Sequence, residues 1–203
     1  MTEYSEGNPI KMSYLMFEAP VLSLAITDAH QYYLLNQDGL TFETPLKSYK
    51  LDGHYGQIIL YGIYPYIVTD AGVYLFDGQE CEMIYKPYRS DIQLKSGIVY
   101  NDSLYLLASD YSLRAVSLDG QKFLLETVNN SGGIKLIHHA DKLIIAGRNK
   151  FNIIDYSYKK PEGATFEIPK DDKMIDADIF EGNIIVLVRE GDSSFIKKLA
   201  IME

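Results

Sequence analysis

The sequence contains no tryptophan and a single cysteine, Cys81, among its 203 residues. One cysteine cannot form an intramolecular disulfide, which is typical of proteins in a reducing compartment. No apolar run approaches the roughly 20 residues that a membrane-spanning helix needs, and no basic segment followed by an apolar one opens the chain. We therefore expect a soluble protein that is cytoplasmic or otherwise intracellular, without a membrane partner.

Basic residues are also scarce, because 19 Lys and Arg stand against 28 Asp and Glu, a formal net charge of −9. Proteins that bind nucleic acid neutralise its phosphates with Lys and Arg, so this balance argues against nucleic acid as the principal partner. The chain has no Gly-x-Ser-x-Gly elbow, no phosphate-binding glycine loop and no metal-ligand spacing of His or Cys. We predict no catalytic residue, no metal and no cofactor.

Short apolar runs separated by turn residues are the main pattern that the sequence does contain. Residues 97–127 hold four such runs, and β-branched and aromatic runs of this length predict strands. Asn101-Asp102 lies between the first and second runs, and Asp119-Gly120 lies between the third and fourth. Both dipeptides favour a tight type I′ hairpin turn, in which both central residues have positive φ. The stretch therefore predicts a four-stranded antiparallel meander.

The same pattern recurs, giving five units along the chain. The second strand of each unit is predicted to begin near Tyr32, Tyr66, Leu104, Leu143 and Ile184. The fifth unit lacks a fourth run, and an orphan apolar run at residues 13–17 precedes the first unit. Because an unpaired sheet edge is a liability, we expect this N-terminal strand to pair with the last unit.

Repeated four-stranded units resemble the β-propeller superfamily over residues 13–201. The resemblance implies an all-β, five-bladed β-propeller of four-stranded antiparallel blades, with the N-terminal strand closing the last blade. Residues 1–12 are expected to be a disordered tail, and residues 13–203 a single domain. The absence of Trp excludes the Trp-Asp signature of WD40 blades, the Asp-box of sialidase-like blades and the docking motif of quinoprotein blades. An open structure, either a two-sheet sandwich or a stack of hairpins, is the alternative fold.

In propellers the first strand of each blade lines the central channel, so the resemblance implies that polar side chains there are candidate site residues. Asp176 and Asp178 lie two residues apart, on one face of a predicted strand, and His138 lies in the corresponding strand of the fourth unit. They are candidates for an acid/base or metal cluster, or for the polar wall of a water-filled channel. A glycoside hydrolase would need a carboxylate from another blade, which the first three units do not supply.

Tyrosine is abundant, with 17 residues. Tyr64 lies in a tyrosine cluster, and Tyr88-Arg89 and Tyr158-Lys159 lie in predicted loops. Tyr and Arg are enriched where proteins meet their partners. The sequence thus predicts a non-enzymatic protein-binding module or scaffold subunit that uses propeller faces rich in Tyr and acidic residues. The alternative is a lectin-like module for a glycan or small ligand, or a glycoside hydrolase that uses the channel carboxylates; the oligomeric state stays open.

Overall fold

The computed structural model is built from antiparallel β-strands. It describes residues 4–5, 8–9, 20–27, 32–36, 39–42, 47–54, 56–62, 64–128, 133–155, 162–168 and 173–200. Near the N-terminus, Tyr4–Ser5 (β1) pairs with Asn8–Pro9 (β2) in a short hairpin within the expected tail. The other strands form five sheets that follow one another along the chain. No helix in the described ranges is long and apolar enough to cross a membrane.

The first and second sheets are four-stranded meanders in which each strand pairs with its neighbour in sequence. The first sheet contains β3 (Val21–Ile26), β4 (Tyr32–Asn36), β5 (Gly39–Phe42) and β6 (Lys47–Tyr49). The second sheet contains β7 (Gly56–Tyr61), β8 (Tyr64–Thr69), β9 (Val73–Phe76) and β10 (Cys81–Tyr85).

The third and fourth sheets have the same order, and the fifth sheet has three strands. The third sheet contains β11 (Leu94–Tyr100), β12 (Ser103–Ala108), β13 (Ser112–Ser117) and β14 (Phe123–Val128). The fourth sheet contains β15 (Gly133–His139), β16 (Lys142–Gly147), β17 (Lys150–Asp155) and β18 (Glu162–Glu167). The fifth sheet contains β19 (Lys173–Phe180), β20 (Asn183–Glu190) and β21 (Ser193–Ala200).

The prediction of repeated meanders is confirmed. The predicted second strands correspond to β4, β8, β12, β16 and β20, and five separate sheets replace the two of the alternative sandwich. Within the described ranges no fourth strand pairs with β21. Residues 13–17 lie outside the described residues, so closure by that segment stays a prediction.

The two predicted hairpin turns differ from one another. Asn101 and Asp102 both have positive φ, at 46° and 53°, as a type I′ turn requires. At Asp119-Gly120 the prediction of two positive φ angles was wrong, because only Gly120 has one, at 72°. Here Gly120 N donates to Ser117 O at 2.8 Å, and the Asp119 carboxylate accepts hydrogen bonds from the Ser117 hydroxyl and from Gln121 N.

The core lies between consecutive sheets, in four apolar clusters. Successive side chains of a strand point to opposite faces, so a central strand serves two clusters at once. In β12, for example, Leu104 and Leu106 pack toward the second sheet, and Leu107 packs toward the fourth. Extensive contacts between sheets in the described part of the chain likewise join consecutive sheets. The fold is therefore a row of sheets, each of which packs on the next.

Candidate functional site

The loop from β10 to β11 and the turn from β12 to β13 lie at one end of the sheets, because alternate connections of a meander fall at the same end. The two segments are joined by hydrogen bonds from Gln93 N to Ser109 Oγ at 3.0 Å and from Ser109 N to Gln93 O at 2.8 Å. Together with Lys95 at the start of β11 they present Tyr88, Arg89 and Tyr111, and all four residues are exposed. We call these four residues the Tyr88 patch.

A buried arginine supports the patch from below. The Arg114 side chain is fully buried, and its guanidinium carbon lies 5.2 Å from the centroid of the Tyr88 ring, which is within the range of a cation–π contact. Tyr88 is nevertheless 70% exposed. The Tyr88 ring therefore packs on the Arg114 guanidinium, and most of Tyr88 stays exposed to solvent.

Asp110 fixes the position of the Arg114 guanidinium. Arg114 Nη2 donates to Asp110 Oδ2 at 2.7 Å, and Asp110 Oδ1 accepts hydrogen bonds from Ser112 Oγ at 2.6 Å and from Ser112 N at 3.2 Å. Partial burial by itself raises the pKa of Asp110, but the Ser112 hydrogen bonds and the Arg114 charge outweigh it and hold that pKa below its usual value. Asp110 is therefore an anion that pairs with a buried cation.

Tyr111 occupies a strained position in the same turn. Its φ is +63°, in the left-handed region, which is a genuine outlier for a bulky residue. The ring is 50% exposed, and Lys95 Nζ lies 5.7 Å from its centroid. Because strained residues concentrate at functional sites, a tyrosine held here at the surface marks the turn as a candidate site.

Arg89 is held by an ion pair at the edge of the patch. Its Nε donates to Asp91 Oδ1 at 2.9 Å, and its Nη2 donates to Asp91 Oδ2. This hydrogen bonding lowers the pKa of Asp91 and raises the pKa of Arg89. Both side chains are largely exposed, so the pair orients the guanidinium and adds little to stability.

The structure separates Tyr64 from Tyr88 and Arg89. Tyr64 begins β8 and is 44% exposed, but the hairpin from β7 to β8 lies at the opposite end of the sheets. At that end the Tyr61 hydroxyl donates to Asp102 Oδ1, which raises the pKa of Tyr61. Tyr158 lies outside the described residues.

The predicted channel residues face different ways. His138 Nε2 lies 2.8 Å from Ala140 O, and its ring lies 4.7 Å from the Tyr100 ring of the third sheet. Asp176 and Asp178 lie opposite Leu187 and Ile185 in the register, on the face of the fifth sheet that points away from the fourth. The structure therefore does not bring His138 together with the two aspartates. Among the described residues no group of three or more His, Cys, Asp or Glu could hold a metal ion.

Sequence reasoning missed Lys95, Tyr111 and Arg114. Arg114 is the one charged residue of β13 and lies between the apolar residues Leu113 and Ala115, which is a signal for a buried and paired cation. Tyr111 follows Asp110 in a short turn without glycine, which is a signal for backbone strain. The cation–π pairing of Lys95 with Tyr111 had no signal in the sequence, because it depends on how a loop and a turn meet.

A depression of about 220 Å³ lies near the same end of the sheets. It is lined by Leu22, Gly56, Gln57, Val68, Thr69, Asp70, Leu94 and Lys95. Its volume is below the range of about 300–1,000 Å³ that is typical of small-molecule sites. The lectin-like alternative therefore gains no support from this depression.

The sequence matches no family model and no curated protein. The fold is similar to the WD40 repeats of RRP9, with a TM-score of 0.70 and 12% identity over 92% of this chain and 62% of that chain. It is similar to U3-55K, with a TM-score of 0.69 and 12% identity over 91% of this chain and 63% of that chain. The N-terminal domain of Nup159 has a TM-score of 0.65 and 12% identity over 91% of this chain and 59% of that chain.

These neighbours are propeller-type domains, and the similarity shows that this chain has a β-propeller type of fold. It spans about three fifths of the length of each of them. The similarity to the WD40 repeats of RRP9 holds although this sequence lacks tryptophan. The Trp-Asp signature is therefore not needed for the arrangement of sheets.

Proposed function

We propose that this chain is a non-enzymatic protein-binding module that acts inside the cell, in which each sheet is one propeller blade and the Tyr88 patch holds the partner. The observation that carries the proposal is the Tyr88 ring, 70% exposed and supported by the fully buried Arg114. An aromatic anchor buries a large area when a partner binds. Because the Arg114 base limits the movement of the ring, little additional ordering is needed on binding.

Tyr111 supports the same interpretation. A glycine would adopt its positive φ without strain, whereas tyrosine in this conformation costs roughly 1–2 kcal/mol. The exposed ring gains no core packing that offsets this cost. Retention of the ring is therefore best explained by contact with a partner.

The charge of the site indicates the chemistry of that partner. The patch and its base carry three cations, Arg89, Lys95 and Arg114, against the two anions Asp91 and Asp110, in a chain whose net charge is −9. An acidic segment with apolar side chains fits this surface. Nup159 gives a precedent within this fold, because it is part of a solved complex of S. cerevisiae Dbp5 with Nup159 and Gle1. That precedent is an analogy of fold and supports only the class of partner.

Affinity purification of the full chain from its native host tests the proposal with two patch variants, Tyr88→Ala and Tyr111→Gly. We expect each to lower recovery of a stoichiometric protein partner by at least about tenfold, the scale of a hot-spot residue. Tyr111→Gly relieves backbone strain, so its loss of binding cannot be attributed to unfolding. The matched control is Tyr61→Ala, which removes an exposed tyrosine at the opposite end.

The proposal is overturned if both patch variants retain the partner, or if Tyr61→Ala weakens recovery equally. Nuclease treatment of the lysate should leave recovery unchanged. If the partner is released by nuclease, nucleic acid holds it, and a protein-binding patch is the wrong explanation.

A further inference from the structure

A polar side chain links each first strand to the first strand of the next sheet. Ser23 Oγ in β3 accepts a hydrogen bond from Ile58 N in β7 at 3.1 Å. Gln57 exchanges two hydrogen bonds with the Gly97 backbone in β11, since its Nε2 donates to Gly97 O at 2.9 Å and its Oε1 accepts from Gly97 N at 3.2 Å. These contacts align the second sheet with its neighbours on both sides.

The series continues into the fourth and fifth sheets. Ser96 Oγ accepts a hydrogen bond from Leu136 N at 3.1 Å, and Lys135 Nζ donates to Asp176 Oδ1 at 2.9 Å. The register places the polar residues at one equivalent position, opposite Leu35, Val68, Leu107, Ala146 and Leu187 of the second strands. We call Ser23, Gln57, Ser96, Lys135 and Asp176 the five link positions.

Asp176 is the last link position, and its register partner Leu187 lies on the face of the fifth sheet that points away from the fourth. The Asp176 side chain is 59% exposed. Each of the first three link residues bonds the backbone N–H of a following first strand. The Asp176 carboxylate instead accepts hydrogen bonds at Oδ1 from Lys135 Nζ at 2.9 Å and from Ala177 N at 2.8 Å, so the series of side-chain links ends at the fifth sheet.

Apolar side chains are exposed on the same side of the fifth sheet. Phe180 is 63% exposed and Ile196 is 75% exposed. Ile196 lies opposite Leu187, and Phe180 lies opposite Asn183, so both belong to the face that points away from the fourth sheet. Among the described residues every exposed large apolar side chain other than tyrosine lies in the first or the fifth sheet.

The first sheet has the matching feature at the other end of the row. Leu24 and Ile26 are 55% and 63% exposed. They pair with Leu34 and Tyr32, whereas the alternate residues of β4, Tyr33 and Leu35, pack on the second sheet. Leu24 and Ile26 therefore lie on the face that points away from the second sheet. Leu24 directly follows a link position, as do Leu136 and Ala177, which are each only 3% exposed. The same position is therefore covered at internal junctions and uncovered at the start of the row.

The solved neighbours are longer than the part of them that this chain matches. This chain aligns over 91–92% of its length, and it matches 59–63% of theirs. The five sheets are thus arranged like consecutive sheets of a longer propeller. In such a ring, the sheets that this chain does not match would lie between its fifth and its first sheet.

We propose that the space between the fifth and the first sheet is filled by a β-meander of a partner polypeptide, which packs on Leu24 and Ile26 at one side and on Phe180 and Ile196 at the other. A second copy of this chain does not fit, because it would bring five sheets into a space that corresponds to only about two fifths of the neighbours' length. The inference rests on the proposed protein-binding function but uses a different surface from the Tyr88 patch.

Site-specific photocrosslinking of the full chain in its native host tests this inference, with a photoreactive residue at Ile26, at Phe180 or at Tyr111. We expect Ile26 and Phe180 to crosslink to the same polypeptide, because a meander that fills the space contacts both faces. Mass spectrometry should place the crosslinks in strand segments with alternating apolar residues. The inference is overturned by crosslinks only to copies of this chain, by a crosslink from Ile26 to its own fifth sheet, by two unrelated polypeptides, or by none.

Two charged variants supply the second measurement. Ile26→Asp and Phe180→Asp change side chains that are 63% exposed, so we expect the isolated chain to keep its unfolding midpoint, while recovery of the crosslinked polypeptide falls at least about tenfold. Gln121→Asp, at an exposed turn far from both faces, is the matched control. Unchanged recovery with both charged variants would contradict the inference.

The probe at Tyr111 distinguishes this inference from the proposal that the Tyr88 patch holds a partner. A partner that crosslinks at Tyr111, with nothing captured at Ile26 and Phe180, leaves the Tyr88 patch standing and removes the inference. Crosslinking at Ile26 and Phe180 without crosslinking at Tyr111 supports the inference and contradicts the proposed role of the Tyr88 patch.

Discussion

The second strands of the middle sheets and of the fifth sheet differ in burial although both are apolar. In β12 all residues from Leu104 to Ala108 are buried. In β20 burial alternates, so that Ile184, Val186 and Val188 are buried, whereas Ile185 and Leu187 are only half-buried. A sheet on each side covers β12, whereas the fourth sheet covers only one face of β20. Apolar content therefore fixes where a strand forms, and its neighbours decide how much of it is covered.

The largest expected effect comes from one substitution made in both regions. Leu104→Ala in the third sheet removes a side chain with 0% exposure, and Leu24→Ala in the first sheet removes one with 55% exposure. We expect Leu104→Ala to lower the free energy of unfolding by about 3 kcal/mol, because it leaves a cavity. Leu24→Ala should lower it by less than about 1 kcal/mol. Urea unfolding measures both, and equal losses would show that Leu24 is covered in the isolated chain.

Two turn glycines allow a second comparison, between a close contact of two sheets and an open position. Gly120 and Gly182 have nearly the same φ, 72° and 71°. A Cβ at Gly120 would lie 2.0 Å from Ile84 O in the second sheet, whereas a Cβ at Gly182 would have His139 Nε2 at 3.8 Å as its nearest atom. Gly182→Ala should cost about 1 kcal/mol from backbone strain alone. Gly120→Ala should cost about 1 kcal/mol more, because the backbone must move. Equal costs in thermal unfolding would mean that the second and third sheets are not in close contact at this point.

The buried pair in the third sheet makes stability depend on pH. Asp110→Asn should lower the free energy of unfolding by about 2 kcal/mol at pH 7, since it weakens the pairing of a buried arginine and Asp110 itself is partly exposed. The pKa of Asp110 is lowered in the folded state. Its contribution is therefore complete above the unfolded value of about 4 and is lost as the pH falls through the folded value. Urea unfolding from pH 7 downward should show the difference between the two proteins shrinking as the pH falls below about 4; a constant difference would contradict this assignment.

The smallest effect is expected at the exposed pair. Asp91→Asn breaks the contact with Arg89 while both side chains are more than half exposed, and such pairs contribute little. The unfolding midpoint should not change measurably, and added salt should not alter that result. A clear loss of stability would mean that the loop from β10 to β11 is part of the folding core.

The sequence allowed the strands and their grouping to be predicted, because the apolar runs and the turn residues are local signals. It allowed Tyr88 and Arg89 to be placed in a loop, since strand periodicity stops before them. It did not reveal Arg114 as the base of the patch, because burial of that side chain depends on two sheets. The link positions were also missed, since Ser23 and Gln57 act on strands that are remote along the chain.

Ring closure is a further feature that local patterns do not determine. The third run of the fifth unit predicts β21, but the number of sheets in a ring depends on the angle between neighbouring sheets. That angle arises from packing between strands such as β11 and β15, whose residues are separated by a complete meander. The expectation of a five-bladed closed ring rested on the number of repeated units alone, without the angle between neighbouring sheets.

Amide hydrogen exchange on the purified full chain, followed by mass spectrometry of its fragments, tests most directly whether the middle junctions are covered and the two end faces are open. We expect β12 and β16 to exchange slowest, and β3 and β21 to exchange faster by on the order of a hundredfold, because local stability follows burial. If β3 and β19 are instead as protected as β7 and β11, the first and fifth sheets are in contact in the isolated chain. The ring would then be closed, and there would be no space for a partner to fill.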